Sequence, residues 1–436
     1  MVQIRPLKGI TYNPEKIQIL DEVMSPPYDI ISPEMQDQLY QKNPYNFVRL
    51  ILGKQSEEDT DKNNRYTRAK EAFDEWIQKS IIMQSDKPAL FPYKIKYSIK
   101  GKQKTMSGFF VLLKLDPSYE KVKAHEKTLS KPKADRLNLM RACHANLEPI
   151  QLLYIDEQDS IQKTIEKNLT EKPYIQVKGY DEFTHSLWKL TDTSVISKLQ
   201  EKLKDEILFI ADGHHRYQTA LNFAEEMKDQ DTSDDAPFNY RLVILANMFD
   251  EGLAILPTHR LMHMEKLDRE QFLNDLEPYF EVTEYKRKSD EDYKTLIKTI
   301  KKELETTTEH KFVIYFKDSF YLLRLKNKEI MDELANDQSE TWRTLDVSIL
   351  HKIIIETILG ITQESLEDHV KYTRDDEEAL RFVDEEKYEF SFLMNATKID
   401  ELKTIAEAGE HMPQKSTYFL PKMLSGLVMY KMNTEQ

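Results

Sequence analysis

Asp212, Gly213, His214, His215 and Arg216 stand consecutively in LFIADGHHRYQTALNFAEEM (208–227), between an apolar strand-like run and a helix-like run. Tyr217, Ala220, Leu221 and Ala224 follow at helical spacing, so a helix is expected from 213 onward. Asp212 then sits where an N-cap carboxylate can accept from first-turn N–H groups. A helix start presents the positive end of the dipole and favours an anion. Gly213 has no side chain where a ligand would approach the backbone, and His214, His215 and Arg216 add donors, arginine being able to fork onto phosphate oxygens. The five groups together read as a phosphate site that needs no glycine-rich loop, with Gly213, His214, His215 and Arg216 binding and Asp212, His214 and His215 near the chemistry. The plainer alternative is a capped helix with one packed histidine and a surface ion pair. Asp, His and His are also ligands for zinc, iron or manganese. Adjacent helical residues, however, point about 100° apart, which disfavours a shared metal. HEKTLS (125–130) does not complete a His-Glu-x-x-His pair, because residue 129 is leucine. No intrinsic metal is expected, and magnesium would arrive with a nucleotide.

Other segments could feed the same site. The stretch 121–141 is a basic island in which His125-Glu126 is accompanied by Lys127, Lys133 and Arg136. It could attract a small anion, or it could be a solvated face. LPTHRL places His259 and Arg260 just after a strand, where loops carry function. PPYDII presents Asp29 on a proline-stiffened turn. Taken singly, each is more often structural than functional. MPQKSTYFLPK near the C-terminus is rich in donors, Lys415, Ser416, Thr417 and Lys422 among them, or is a turn that packs Tyr418 and Phe419. Cys143 has no histidine at an informative spacing and is not expected to be a nucleophile.

What must hold these groups in place is a large chain. Its 436 residues exceed one typical core. The expected division is an N-terminal α/β region, 1–265, containing the phosphate turn, and a C-terminal α+β region, 266–436, although no Pro/Gly/Ser linker marks it. Ten glycines, no two of them close, leave no Gly-x-Gly or Walker-type loop. A net charge of −14 argues against a nucleic-acid partner. A single cysteine excludes an internal disulfide framework and fits a reducing cytoplasm. No apolar run approaches the roughly 18–20 residues of a membrane span, and the start lacks a signal-peptide core; no membrane partner and a cytoplasmic location are expected. Ser32-Pro33-Glu34 opens a helix to about Lys42, and NFVRLIL (46–52) is a strand candidate. Residues 87–115 read as a hairpin about Gly101, 311–317 and 319–325 as strands, and 346–358 as a helix. The alternation indicates an α+β, or mixed α/β, fold.

Several segments together carry a resemblance: RPLKG, PPYDIIS, NPYNFVRL, HEKTLSKPKADRLNLMRACHANLEPI, ADGHHRYQTAL, LPTHRL, LDVSILH and GEHMPQKSTYFLPKMLSGL. They resemble the family known as domain of unknown function 1015, over about residues 4–430. The turn at 212–216 also looks like that of the ParB/sulfiredoxin-like fold, used by free-serine kinases to hold nucleotide phosphates. That likeness implies a ParB/sulfiredoxin-like element elaborated by large insertions. It also implies ATP or ADP with magnesium as cofactor and free serine, or a related hydroxyl metabolite, as substrate. Gly213, His214, His215 and Arg216 would contact phosphates, and Asp212 would orient the turn or a metal. In those kinases a catalytic glutamate lies not far before the turn, whereas here almost 200 residues precede Asp212. Glu15, Asp29 and Glu126 all remain candidates for the base. Three functions stay open: a nucleotide-dependent phosphotransferase, a metal-dependent phosphohydrolase, and a non-enzymatic nucleotide or metabolite sensor.

Overall fold

Ser32 accepts from the Met35 backbone N–H at 3.2 Å, and with Pro33 in the first turn it starts helix α1 (Pro33–Lys42). The computed structural model describes residues 1–99, 101–126, 130–229, 232–288, 292–305, 309–413 and 415–432. NFVRLIL does not form the expected strand. It forms a short helix, α2 (Val48–Ile51), in which Val48, Leu50 and Ile51 are all buried. A run buried on every side carries no period that separates strand from helix, and Asn46 decides locally by accepting from the Val48 N–H at 3.0 Å. Further helices are α3 (Arg65–Gln78), α4 (Ser130–Cys143), α5 (Thr193–Leu203) and α6 (His214–Met227).

The chain divides by contacts into two compact units, one of residues 1–124, 128–254 and 421–436, the other of 255–420 with the segment around His125. The first unit is built on a nine-stranded mixed sheet. Its strands are β1 (Ile4–Arg5), β2 (Phe91–Ile99), β3 (Lys102–Lys114), β4 (Val122–Lys123), β5 (Ile150–Tyr154), β6 (Ile175–Lys178), β7 (Thr184–Leu187), β8 (Leu208–Asp212) and β9 (Tyr240–Asn247). Their order is β4-β8-β5-β9-β3-β2-β7-β6, with β1 added beside β3. The expected hairpin is β2-β3, reversing at Gly101 with φ +76°. Pairing is parallel in β4-β8 and β5-β9 and antiparallel in the other pairs of this sheet. One face carries Ile150, Leu152, Leu208, Ile210, Val243 and Leu245 against Tyr217, Ala220 and Phe223 of α6. Each such buried large side chain contributes roughly 1.5–3 kcal/mol, so α6 is fixed by its apolar face. Helix α4 packs against both α3 and α6.

The second unit holds a six-stranded antiparallel sheet. Its strands are β10 (His259–Met262), β11 (Phe280–Lys286), β12 (Lys311–Phe316), β13 (Ser319–Leu325), β14 (Val370–Thr373) and β15 (Phe390–Leu393), in the order β11-β13-β12-β15-β10-β14. Val313, Tyr315, Leu322 and Leu393 pack under Leu296, Ile300, Leu380 and Val383 from two helices. The helix expected over 346–358 begins at Asp346 but continues from Leu350 to Ile358 as a π-helix. Consistent with that winding, the Leu359 N–H donates to the Ile354 carbonyl at 2.9 Å. The architecture is mixed α/β, as expected from the alternation of elements. Among the described residues no helix is long and apolar enough to cross a membrane.

Candidate functional site

The turn at 212–216 is shaped by a bulge and a glycine. The register of β8 against β5 shifts between Ile210 and Asp212, the kind of irregularity that re-aims a side chain. Gly213 follows at φ +96°, and α6 begins at His214. Asp212 is therefore not the helix cap that its position in the sequence predicts. Gly213 occupies the cap position, no side chain caps the helix, and the Asp212 carboxylate is turned instead to Lys422 and, one helical turn on, Arg216. Arg216 also donates to the Pro149 carbonyl. A Cβ on Gly213 would lie 3.0 Å from Arg216 Nε, so this residue is glycine both for its φ and for the room Arg216 needs. His214 is buried and His215 half-buried, the divergence expected of helical neighbours.

Around this turn the first unit gathers segments far apart in sequence. Backbone bonds between Ser25 and Ser425, 3.2 and 2.9 Å, join the Pro26-Pro27 segment to the C-terminal one. Glu148 accepts from the Tyr28 N–H at 3.2 Å and from Ser425 Oγ at 3.0 Å on one oxygen, and from Arg136 at 3.4 Å on the other. The Arg136 guanidinium lies 4.0 Å above the Tyr28 ring and donates to Asp135 at 2.8 Å. Arg241, on β9, donates from Nη2 to the Glu148 carbonyl at 2.7 Å, while its buried Nε and Nη1 have no hydrogen-bond partner. Arg136, Glu148, Arg216 and Arg241 line a void of about 30 Å³, where about 10–15 Å³ suffices for one water. Gln151 stands opposite Asp212 in the β5-β8 register, with both amide atoms buried and unpartnered.

The electrostatics follow from this crowding. Burial alone would push the Asp212 carboxyl up, but Lys422, Arg216 and His214 hold it well below the usual range. Burial works against the Arg216 charge, yet Asp212, Glu148 and Asp29 raise its pKa further. Arg241 is only partly compensated: burial, then the nearby Arg216 charge, pulls it down to about 9 although Glu148 works the other way. Four buried cations, Arg136, Arg216, Arg241 and Lys422, thus stand around the buried carboxylate of Glu148 and the half-buried one of Asp212, with Asp135 shared between Arg136 and Arg65.

The remaining sequence candidates are distributed as follows. Asp29 is exposed on the turn Tyr28–Ile30, within electrostatic range of Arg216. Of the basic island, Arg136 turns inward, Lys133 is half-buried on α4, Arg141 pairs with Glu226 at 2.8 Å, and Lys127 lies outside the described residues. Glu126, His259 and Arg260 belong to the second unit. Glu126 forms a backbone bridge with Met412. His259 is buried, with Nε2 3.2 Å from Asp376 and Nδ1 accepting from the Met394 N–H at 3.4 Å; burial would raise the Asp376 carboxyl, but His259 and Lys301 bring it down to about 2. Arg260 is buried and donates to the Thr258 carbonyl and to Met394 Sδ. Cys143 is buried, its thiol pushed up to about 12 by burial, as befits a packing residue. Among the described residues no three His, Cys, Asp or Glu side chains converge as a metal site. Glu148, Gln151 and Arg241 were not singled out by sequence reasoning. For Arg241 a signal existed: it is one charged residue inside the apolar strand YRLVILAN.

A family profile described as Protein of unknown function (DUF1015) matches residues 4–348. No curated protein matches the sequence. Among solved structures, a conserved hypothetical protein from Pyrococcus furiosus shares 14% identity at a TM-score of 0.35, over 73% of this chain and 95% of that one. A free serine kinase in complex with AMP shares 12% at 0.36, over 73% and 92%. SbnI with C-terminal truncation from Staphylococcus aureus shares 11% at 0.33, over 72% and 85%. These overlaps are loose, and the functional reading rests on the residues of the site.

Proposed function

The chain belongs to the family described as Protein of unknown function (DUF1015), and within it we propose a nucleotide-dependent phosphotransferase acting on a small hydroxyl metabolite, free serine among the candidates. The observation that carries this reading is the surplus of buried cations beside the head of α6. Arg241 above all is a desolvated charge with two unpartnered N–H groups on a void that a phosphate oxygen would fill. An anion there offsets a desolvation penalty already present in the protein. ATP or ADP would place phosphates at the α6 N-terminus and at Arg136, Arg216 and Arg241. Asp212, held ionised by Lys422 and Arg216, is too weak a base to take a proton and serves to fix Arg216 and Lys422. Both its oxygens face cations, so magnesium would come coordinated by the nucleotide. Asp29, exposed at the edge of the cluster, is the carboxylate that would accept the hydroxyl proton as the substrate oxygen attacks the terminal phosphorus and the nucleotide leaves one phosphate shorter, ADP from ATP or AMP from ADP.

The test combines nucleotide-induced melting shifts with transfer of labelled terminal phosphate from ATP to serine and other hydroxyl metabolites. Stabilisation by ATP with a phosphorylated product supports the reading; the absence of any nucleotide shift overturns it. Arg241→Met should abolish the shift. Asp29→Asn should keep it and lower turnover by roughly 10²-fold or more. A second reading, a nucleotide sensor without catalysis, is favoured by the full neutralisation of Asp212. Stabilisation without transfer to any hydroxyl compound would select it.

A further inference from the structure

A second pocket lies wholly in the 255–420 unit and has no part in the phosphate reading. Its volume is about 160 Å³, and Trp342, His351, Lys352, Glu356, Leu366 and Met412 are among its walls. The π-helix Leu350–Ile358, beyond the family match that ends at residue 348, supplies three of these side chains. Wide turns of this kind often mark functional segments. Five-residue winding sets His351 and Glu356 on one side, with Nε2 3.9 Å from Oε1, while Lys352 Nζ meets the other Glu356 oxygen at 2.7 Å. The indole of Trp342 is fixed by donating to the His411 carbonyl at 3.0 Å, and Leu366 and Met412 add buried apolar surface.

We propose that this pocket binds a free amino acid, or a zwitterion of that size. Lys352 and Glu356 form a half-buried ion pair about one-third accessible at each end, and an α-amino acid laid antiparallel to it satisfies both ends: carboxylate on Lys352, ammonium on Glu356 Oε1, the oxygen that Lys352 does not take. A simple anion meets Glu356 at close range, and a simple cation meets Lys352. Asp337 on the wall adds a second carboxylate for the ammonium. Arg260, buried and paired with no carboxylate among the described residues, adds positive potential behind His351. Burial, then Arg260, brings His351 down to about 4, so its imidazole is a neutral hydrogen-bonding group at pH 7. The ligand side chain would lie against Trp342, Leu366 and Met412, which favours an apolar or aromatic amino acid.

Calorimetric titration of the full chain with the free L-amino acids, and with N-acetyl and carboxamide forms of any binder, tests this. The expected result is millimolar or tighter binding by at least one apolar or aromatic amino acid, weakened tenfold or more when either charged end is blocked. Glu356→Gln and Lys352→Gln should each weaken it similarly, while Arg241→Met, in the first unit, should leave it unchanged. Absence of binding, equal binding of the blocked forms, or loss of binding in Arg241→Met overturns the proposal. Because the blocked ligands are tested on the unmodified protein, a variant that fails to fold does not remove the test.

Discussion

Asp212 and Arg241 are opposites electrostatically: one charge is over-compensated and the other under-compensated. The folded pKa of Asp212 is depressed, so its contribution to stability is present at neutral pH. That contribution is lost as pH falls below the unfolded value of about 3.9 towards the folded one. Asp212→Asn should flatten the acid limb of a urea-denaturation series taken from pH 7 to 3; an unchanged limb would remove Asp212 as its source. Lys422→Met, which strips one of the two cations from Asp212, should destabilise by on the order of 3 kcal/mol. Arg241 works the other way. Its folded pKa, about 9, lies below the unfolded value, so its charge opposes folding throughout the neutral range and stability rises with pH only above about 9. Arg241→Met should melt no lower than the parent while losing the response to nucleotide; a large drop in melting temperature would make this arginine a structural residue. The residue types of the site were legible in DGHHR. Arg136 and Lys422 were legible only as members of donor-rich segments; that Lys422 pairs with Asp212, 210 positions away, was not, because no local pattern encodes a pairing at that range.

Elements set by local chemistry are the ones that sequence reading finds. The Ser32-Pro33 start of α1 and the Gly101 reversal of β2-β3 act within a few residues, and both are where their residue types place them. Ser32→Ala should cost about 1 kcal/mol in chemical denaturation. Elements decided by tertiary surroundings escape: three of the four residues of α2 are buried, and the π-winding at 350–358 has no counterpart in helix propensity. The turn before α6 belongs to both classes. Its glycine was noted for ligand access, yet the structure uses it to set φ and to admit Arg216, and the cap role read for Asp212 disappeared with the bulge in β8. Gly213→Ala should destabilise by about 1–3 kcal/mol and weaken nucleotide binding at the same time, since Arg216 must move. A neutral effect on both would mean that the turn relaxes freely.

At the scale of the molecule, the proposed nucleotide of the first unit and the proposed amino acid of the second should be separable by calorimetry. A ligand at about 100 times its Kd adds about 2.7 kcal/mol to the unit that binds it, which for folding units of this size is roughly 5–10 °C. Nucleotide should raise one transition and the amino acid the other; one ligand moving both equally would contradict the assignment of separate sites. Length indicated more than one piece and the alternation of elements a mixed α/β chain, but neither indicated that residues 421–432 belong with the first unit. That placement has a consequence in time. A ribosome adding about 5–20 residues per second makes Asp212 and Arg216 roughly 10–40 s before Lys422. Throughout that interval the nascent sheet carries the turn with one of its two counter-charges missing. The segment that brings Lys422 to Asp212 is made only after the second unit, so on the proposed function affinity for nucleotide should appear on the ribosome only once that segment has been added and has folded back.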